Sequence, residues 1–169
     1  MMRREPYELR RSTWVAAEIG EVFAFFSDAR NLERLTPPML RFQILTPEPI
    51  EMAEGVLIDY RLRIRGVPIR WRTRIAVWDP PRRFVDEQLR GPYRLWRHEH
   101  SFEALDNGTL MRDVVRYRVP GGPVAPLVHR LLVRRDVEAI FDFRELKLQE
   151  FFGGEGSGPG VEPADLQAV

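Results

Sequence analysis

The chain has 169 residues, no cysteine, and 26 basic against 25 acidic side chains. That length suits one domain with a sizeable core and is short for two, while the missing cysteines exclude a disulfide framework, a thiolate nucleophile and a cysteine-ligated zinc. An apolar fraction of 44% with 30% charged residues is that of a globular chain, and the near-cancelled charge argues against nucleic acid as a partner.

The opening "MMRREPYELRR" is charged from its third residue, and no apolar run approaches the roughly 20 residues that cross a bilayer. The expectation is a cytoplasmic protein with no integral membrane segment. "YELRRSTWV" reads as a first strand, although Tyr7, Leu9 and Trp14 alternate imperfectly. A helix follows, with Ile19, Val22, Phe23 and Phe26 at helical spacing. Asp28 then caps a second short helix carrying Leu32 and Leu35, which Pro37 and Pro38 end.

From Arg41 the period changes to two. "RFQILTP" is a strand, and "VLIDYRLRIRG" puts Val56, Ile58, Tyr60, Leu62 and Ile64 on one face with Asp59, Arg61, Arg63 and Arg65 on the other. Gly66 to Pro68 reads as a turn. In "IRWRTRIAVW", Ile69, Trp71, Thr73, Ile75 and Val77 face inward while Arg70, Arg72 and Arg74 face out, which completes a hairpin with a solvated arginine stripe. "DPPRR" turns the chain into "FVDEQL", "RGP" breaks it before "YRLWRHEHSFEAL", and "DNG" supplies a tight turn before "TLMRDVVRYRVP". Short connections make these strands an antiparallel meander.

After Gly121 and Gly122 the period is helical to about Phe152, with Leu127, Leu131, Val133, Val137, Ile140, Phe141, Arg144 and Leu148 forming a broad stripe on one long helix whose first turn is open to irregularity. Residues 153–169 are rich in Gly and Pro and are expected to be a disordered tail beyond a domain of residues 1–152. The class is α+β: one strand, two short helices, a curved antiparallel sheet of six to seven strands in all, and a long C-terminal helix. That helix is the one element long enough to cover the sheet, so the sheet should wrap around it and leave a cavity at the open end.

The order of elements, with "FFSDARNLERLTPPML", "WDPPRRFVDEQLRGPYRLWRHEHSF" and "RYRVPGG", resembles the START-like (SRPBCC) superfamily and its polyketide cyclase/dehydrase-like members. The likeness spans Tyr7 to Phe152. It implies a helix-grip, Bet v 1-like fold around a pocket for a hydrophobic small molecule, in a monomer or homodimer with no cofactor. It carries over no single reaction, because the superfamily holds lipid and hormone binders, aromatase/cyclases and quinone-chaperone-like proteins.

Strand parity nominates the pocket. Trp96, His98, His100 and Phe102 share one face, and Glu99 points the other way. The next strand contributes Met111, Asp113, Val115 and Tyr117. The preceding one contributes either Phe84, Asp86 and Gln88 or Val85, Glu87 and Leu89; the first set is favoured by its likeness to the family pattern. The walls are then Tyr60, Trp71, Phe84, Trp96, Val115, Tyr117, Ile140 and Phe141, with Asp86, Gln88, His98, His100 and Asp113 as polar contacts.

Several functions remain open on those residues. The polar groups make an internal network, or they orient the head group of a bound lipid, polyketide, quinone or similar aromatic. His98 or His100 beside Asp113 can instead serve as general base in a cyclase, dehydratase or hydrolase. His-x-His with a carboxylate also suits a divalent metal, but the third histidine, His129, lies at the start of the long helix and no metal is expected. A lipid or quinone carrier would touch a membrane through "LTPPML" with Leu40 at its tip. Ser27 and Ser101 lack the glycines of a nucleophile elbow. Arg135 or Arg144 reaches the cavity if a carboxylate such as Asp113 meets it; otherwise surface pairs such as Arg134 with Glu138 are expected.

Overall fold

A computed structural model describes residues 5–153, so the expected tail from residue 154 onward lies outside it. In chain order the elements are β1 (Tyr7–Val15), α1 (Ile19–Ser27), α2 (Arg30–Arg34), β2 (Gln43–Ile44), β3 (Leu57–Ile64), β4 (Val67–Asp79), β5 (Arg83–Arg90), β6 (Leu95–Leu105), β7 (Gly108–Arg118), α3 (Ala125–Val128) and α4 (Arg134–Phe152). The strands form one seven-stranded antiparallel sheet in the order β1-β7-β6-β5-β4-β3-β2. This is the helix-grip architecture.

The sheet has one face to bury, and α4 supplies the cover. Val137, Phe141, Arg144 and Leu148 recur at three- and four-residue spacing and are all buried. Val137 and Phe141 pack on Leu9, Val115 and Tyr117, while Leu148 joins Val22 and Phe23 of α1 against Phe84, Phe102 and Met111. A third cluster of Ile58, Tyr60, Ile75 and Ala29 lies at the β3–β4 side. Gly153 ends α4 in a left-handed conformation and returns its N–H to the Gln149 carbonyl at 3.0 Å, so it is the helix cap and not the first residue of the tail.

Three local expectations need correction. The strand expected over "RFQILTP" shrinks to Gln43–Ile44, because Pro47 and Pro49 cannot donate to a ladder beyond it. The β3–β4 turn is Arg65-Gly66, both at positive φ (50° and 83°), and Val67 already pairs with Ile64. Between Ile75 and Val77 the register with β5 shifts, so Val77 sits opposite Val85 and Trp78 opposite Phe84. Cross-strand partners share a face; the bulge therefore turns Val77 outward and Trp78 inward, where Trp78 meets Phe23 at 5.2 Å. The long helix begins irregularly, with α3 and then a π-turn over His129–Val133 before α4.

The arginine stripe is mostly solvated, with Arg72 on Asp59 and Arg74 on Glu87. Such exposed pairs contribute about 0–1 kcal/mol each. Arg65 differs: the turn directs it to the first turn of α4, where Nε and Nη2 donate to Asp136 at 2.9 and 2.8 Å. The hairpin tip is thus tied to the helix that covers the sheet.

Asp106 and Asn107 take positive φ (49° and 58°) and close the β6–β7 hairpin as a two-residue turn. Gly108 follows where β1 runs close by. A Cβ there would stand 2.4 Å from the Val15 carbonyl oxygen and 2.5 Å from the Trp14 ring, whose Nε1 donates to the Leu105 carbonyl. Neither neighbour can yield, since one is backbone and the other is pinned. Gly108→Ala is expected to cost about 1–3 kcal/mol, read as a lower urea midpoint; an unchanged midpoint would show that β1 can move away.

Candidate functional site

Between the sheet and α4 lies a cavity of about 190 Å³, more than ten times the ~15 Å³ that one water needs on the same measure. Tyr60, Trp71, Phe84, Trp96, Ile140 and Phe141 line it as expected, and so do Asp86, His98 and His100. Val115, Tyr117, Asp113 and Gln88 do not. The first three face inward, but α4 lies directly over β7 and covers them, whereas the inward residues of β3 to β6 beyond its edge face open space. One helix cannot cover seven strands.

The parity of β5 is settled in favour of Phe84 and Asp86. Gln88 keeps that parity, opposite the cavity-lining Thr73, and the ladder slips only beyond it, but its side chain turns away from the wall. Its amide clasps the β5–β6 connection, donating to the Tyr93 carbonyl at 2.7 Å and accepting the Tyr93 N–H at 3.3 Å. Tyr93, held there, packs edge-on against Trp71 and tilted against Trp96, with ring centroids 5.7 and 4.8 Å away. Tyr93 was missed from the sequence, as were Leu32, Leu35, Phe42 and Met52, which close the cavity from α2 and the loops. Loop residues carry no period, so nothing in their spacing marks them. Leu40, expected at an exposed tip, also turns into the cavity, and its neighbour Met39 is exposed instead.

The ionisable residues of β5 and β6 gather at one patch of the wall. His98 Nε2 and Asp113 Oδ1 are hydrogen-bonded at 2.8 Å, and His100 Nε2 and Asp86 Oδ2 at 3.2 Å. His100 Nδ1 also lies 2.8 Å from Asp113 Oδ1, though without hydrogen-bond geometry, and His98 Nδ1 lies 3.7 Å from Asp86 Oδ2. Behind them Arg144, buried on α4, reaches Asp113 with Nη1 at 3.5 Å. Arg144 thus fulfils the cavity expectation, while Arg134 pairs with Glu138 at 2.8 Å and Arg135 is exposed. Phe84 stacks on His100 with centroids 4.2 Å apart.

Burial and charge pull the two histidines apart. Burial, helped by the charge of His100, pushes His98 down to about 4, so it is neutral. Burial also opposes charging His100, but Asp113 and Asp86 outweigh it and raise its pKa. The Asp113 carboxyl, raised by burial alone, is held well below the usual range by the two histidines. His129 is elsewhere, sandwiched on Tyr7 at 3.5 Å and bonded to the Tyr117 hydroxyl at 2.9 Å.

This sheet, cavity and covering helix match a family model described as polyketide cyclase/dehydrase and lipid transport over residues 15–143. The chain belongs to that family. No curated protein matches the sequence, but many solved structures share the fold. A Streptomyces aromatase/cyclase, Zhui, superposes with a TM-score of 0.69 at 17% identity, covering 92% of this chain and 98% of its own. A START superfamily protein of Mycobacterium smegmatis gives 0.65 at 15% identity, covering 86% and 99%. A protein of Thermus thermophilus gives 0.63 at 17%, covering 85% and 98%. At these identities the likeness establishes the fold alone. Membership in the polyketide cyclase/dehydrase and lipid transport family supports a general role in hydrophobic ligand binding or cyclase-type chemistry. Among the described residues no helix is long and apolar enough to cross a membrane. Among them, too, Asp86, His98 and His100 form the group whose donor atoms lie close enough together, within 4.8 Å, to hold a metal ion.

Proposed function

We propose that the protein binds a hydrophobic or amphipathic small molecule, its apolar body against Tyr60, Trp71, Trp96 and Phe141 and a polar group toward Asp86, His98 and His100. The observation that carries this reading is the asymmetry of the cavity. Its aromatic walls favour any apolar ligand by about 25 cal/mol per Å² of surface buried, and its cluster of ionisable groups on β5 and β6 fixes which end enters. Asp113 would act from behind, holding His98 in one tautomer.

Leu62, buried and lining the cavity, offers the test. Leu62→Trp fills the space without touching the polar patch. Binding of an amphipathic fluorescent probe, an anilinonaphthalene sulfonate, is expected to weaken at least tenfold while the far-ultraviolet circular dichroism stays that of the wild type. Equal affinities would place the probe, and the proposed ligand site, elsewhere. Native mass spectrometry of the purified chain then names any ligand retained.

A second reading, in which an inward-facing histidine serves as general base in a cyclisation, dehydration or hydrolysis, is favoured by one feature. His98 presents Nδ1 at the cavity wall while Asp113 holds Nε2, the orientation a neutral imidazole base needs. A ligand recovered from the protein and returned to ligand-free protein would come back lighter by one water under a dehydratase, and unchanged under simple binding.

A further inference from the structure

Asp86, His98 and His100 stand on the neighbouring strands β5 and β6, opposite one another by register: Asp86 pairs with His98, and Phe84 with His100. Their inward side chains converge from two directions on one point of the cavity wall. We propose that this point is a binding site for a divalent first-row transition ion such as Zn²⁺, held by Asp86 Oδ2, His98 Nδ1 and His100 Nε2 with its remaining positions open to the cavity.

Four observations bear on the site. The first is spacing. Donors about 2.0–2.2 Å from a common ion stand roughly 3–3.5 Å from one another at tetrahedral or octahedral angles. The separations from Asp86 Oδ2 are 3.2 Å to His100 Nε2 and 3.7 Å to His98 Nδ1, and the donors of the three residues lie within 4.8 Å of one another, so a closing of the two rings toward Asp86 completes the cage. The second is the outer shell. Both histidines turn their rear nitrogens to the same oxygen, Asp113 Oδ1, at 2.8 Å each, His98 Nε2 in a hydrogen bond and His100 Nδ1 in contact without hydrogen-bond geometry. A carboxylate behind each ligand imidazole is how metal sites set ring orientation and tautomer, and Arg144 at 3.5 Å anchors this one.

The third is charge. Two carboxylates, Asp86 and Asp113, face one permanent cation, Arg144, in a site with 4–7% exposure at His98, His100, Asp113 and Arg144. One negative charge is left, which a divalent ion more than offsets, so an anionic group of a ligand would be favoured on its open positions. The fourth is the surrounding. Phe84, Phe26 and Phe141 pack against the two imidazoles, with ring centroids 4.2, 6.0 and 5.3 Å away. These three rings also line the cavity, so the open side of the site has apolar walls. Two imidazoles and one carboxylate suit zinc, iron or cobalt better than magnesium or calcium, which prefer oxygen alone.

This site stands or falls separately from ligand binding in the cavity. The full chain, stripped with a chelator, is titrated with Co²⁺ and followed by its visible absorption, with Zn²⁺ uptake counted by elemental analysis. One ion per chain is expected, with Co²⁺ affinity at least a hundredfold lower in His98→Gln, His100→Gln and Asp86→Asn, and ten- to a hundredfold lower in Asp113→Asn. His129→Gln, remote from the site, should bind as the wild type does. Circular dichroism on each variant separates loss of the site from loss of the fold, and partly exposed Asp86 gives the variant least able to unfold the chain. Uptake well below one ion per chain, or uptake unchanged in the folded Asp86→Asn variant, overturns the proposal. Anilinonaphthalene sulfonate bound as tightly to chelator-stripped protein would leave the cavity reading intact whichever way the metal result falls.

Discussion

Asp113→Leu is expected to lower the free energy of unfolding by about 3–5 kcal/mol, the range for breaking a buried charge pair from one side. Asp113 is 4% exposed and faces His98 Nε2, His100 Nδ1 and Arg144 Nη1, while Arg144 itself is 7% exposed. Removing the carboxylate leaves the guanidinium in the core beside Phe26 and Phe141, with no anion in contact. The loss would come less from the pair's own strength than from this uncompensated charge. Adding Arg144→Met should therefore restore most of it, since replacing a whole buried ionic set by apolar groups is often close to neutral. Guanidinium denaturation of the wild type, the single and the double variants in the presence of chelator measures this cycle. A single-variant loss under about 1 kcal/mol, or no recovery in the double, would mean that Arg144 finds water when Asp113 is gone.

Phe84→Ala is expected to cost about 3–5 kcal/mol, the usual range for removing a buried ring. Phe84 stands where two structures meet. On one side it contacts Phe23, Trp78 and Phe102, which tie α1 to the sheet; on the other it stacks on His100 at the cavity wall. The void left by alanine would merge with the cavity, so the neighbours gain no new contacts by collapsing. Phe84→Leu, which keeps much of the volume, should lose clearly less, and the ordering of the two variants in thermal or chemical unfolding checks the mechanism. Equal losses would point to the aromatic face against His100 as the part that matters.

Much of this could be read from the chain. The alternation of Ile58, Tyr60, Leu62 and Ile64 fixed the inward face of β3, and the spacing of Val137, Phe141, Arg144 and Leu148 fixed the buried face of α4. His98 and His100 were placed on one side of β6 by parity alone, and both are buried there. The failures fall where period two is interrupted or the ladder ends. The bulge at β4 exchanged Val77 for Trp78, and near the end of the β4–β5 ladder Gln88 kept its parity but gave its amide to Tyr93. Neither leaves a mark in composition, because a bulge is decided by how two strands fit and not by either one.

The sequence by itself determined the fold class, the order of the elements and, outside the bulge of β4 and the strand β5, the side of the sheet on which strand residues lie, since pleat and helical period are local geometry set by adjacent residues. Which inward residues face the cavity was decided only by the tertiary structure. His98 and Asp113 have the same parity, yet one lines the space and the other lies behind it, because α4 settles over β7 and stops short of the middle strands. The cluster of Asp86, His98, His100, Asp113 and Arg144 is likewise a product of that docking: Arg144 meets Asp113 across 31 residues of chain, through a contact that no local pattern encodes.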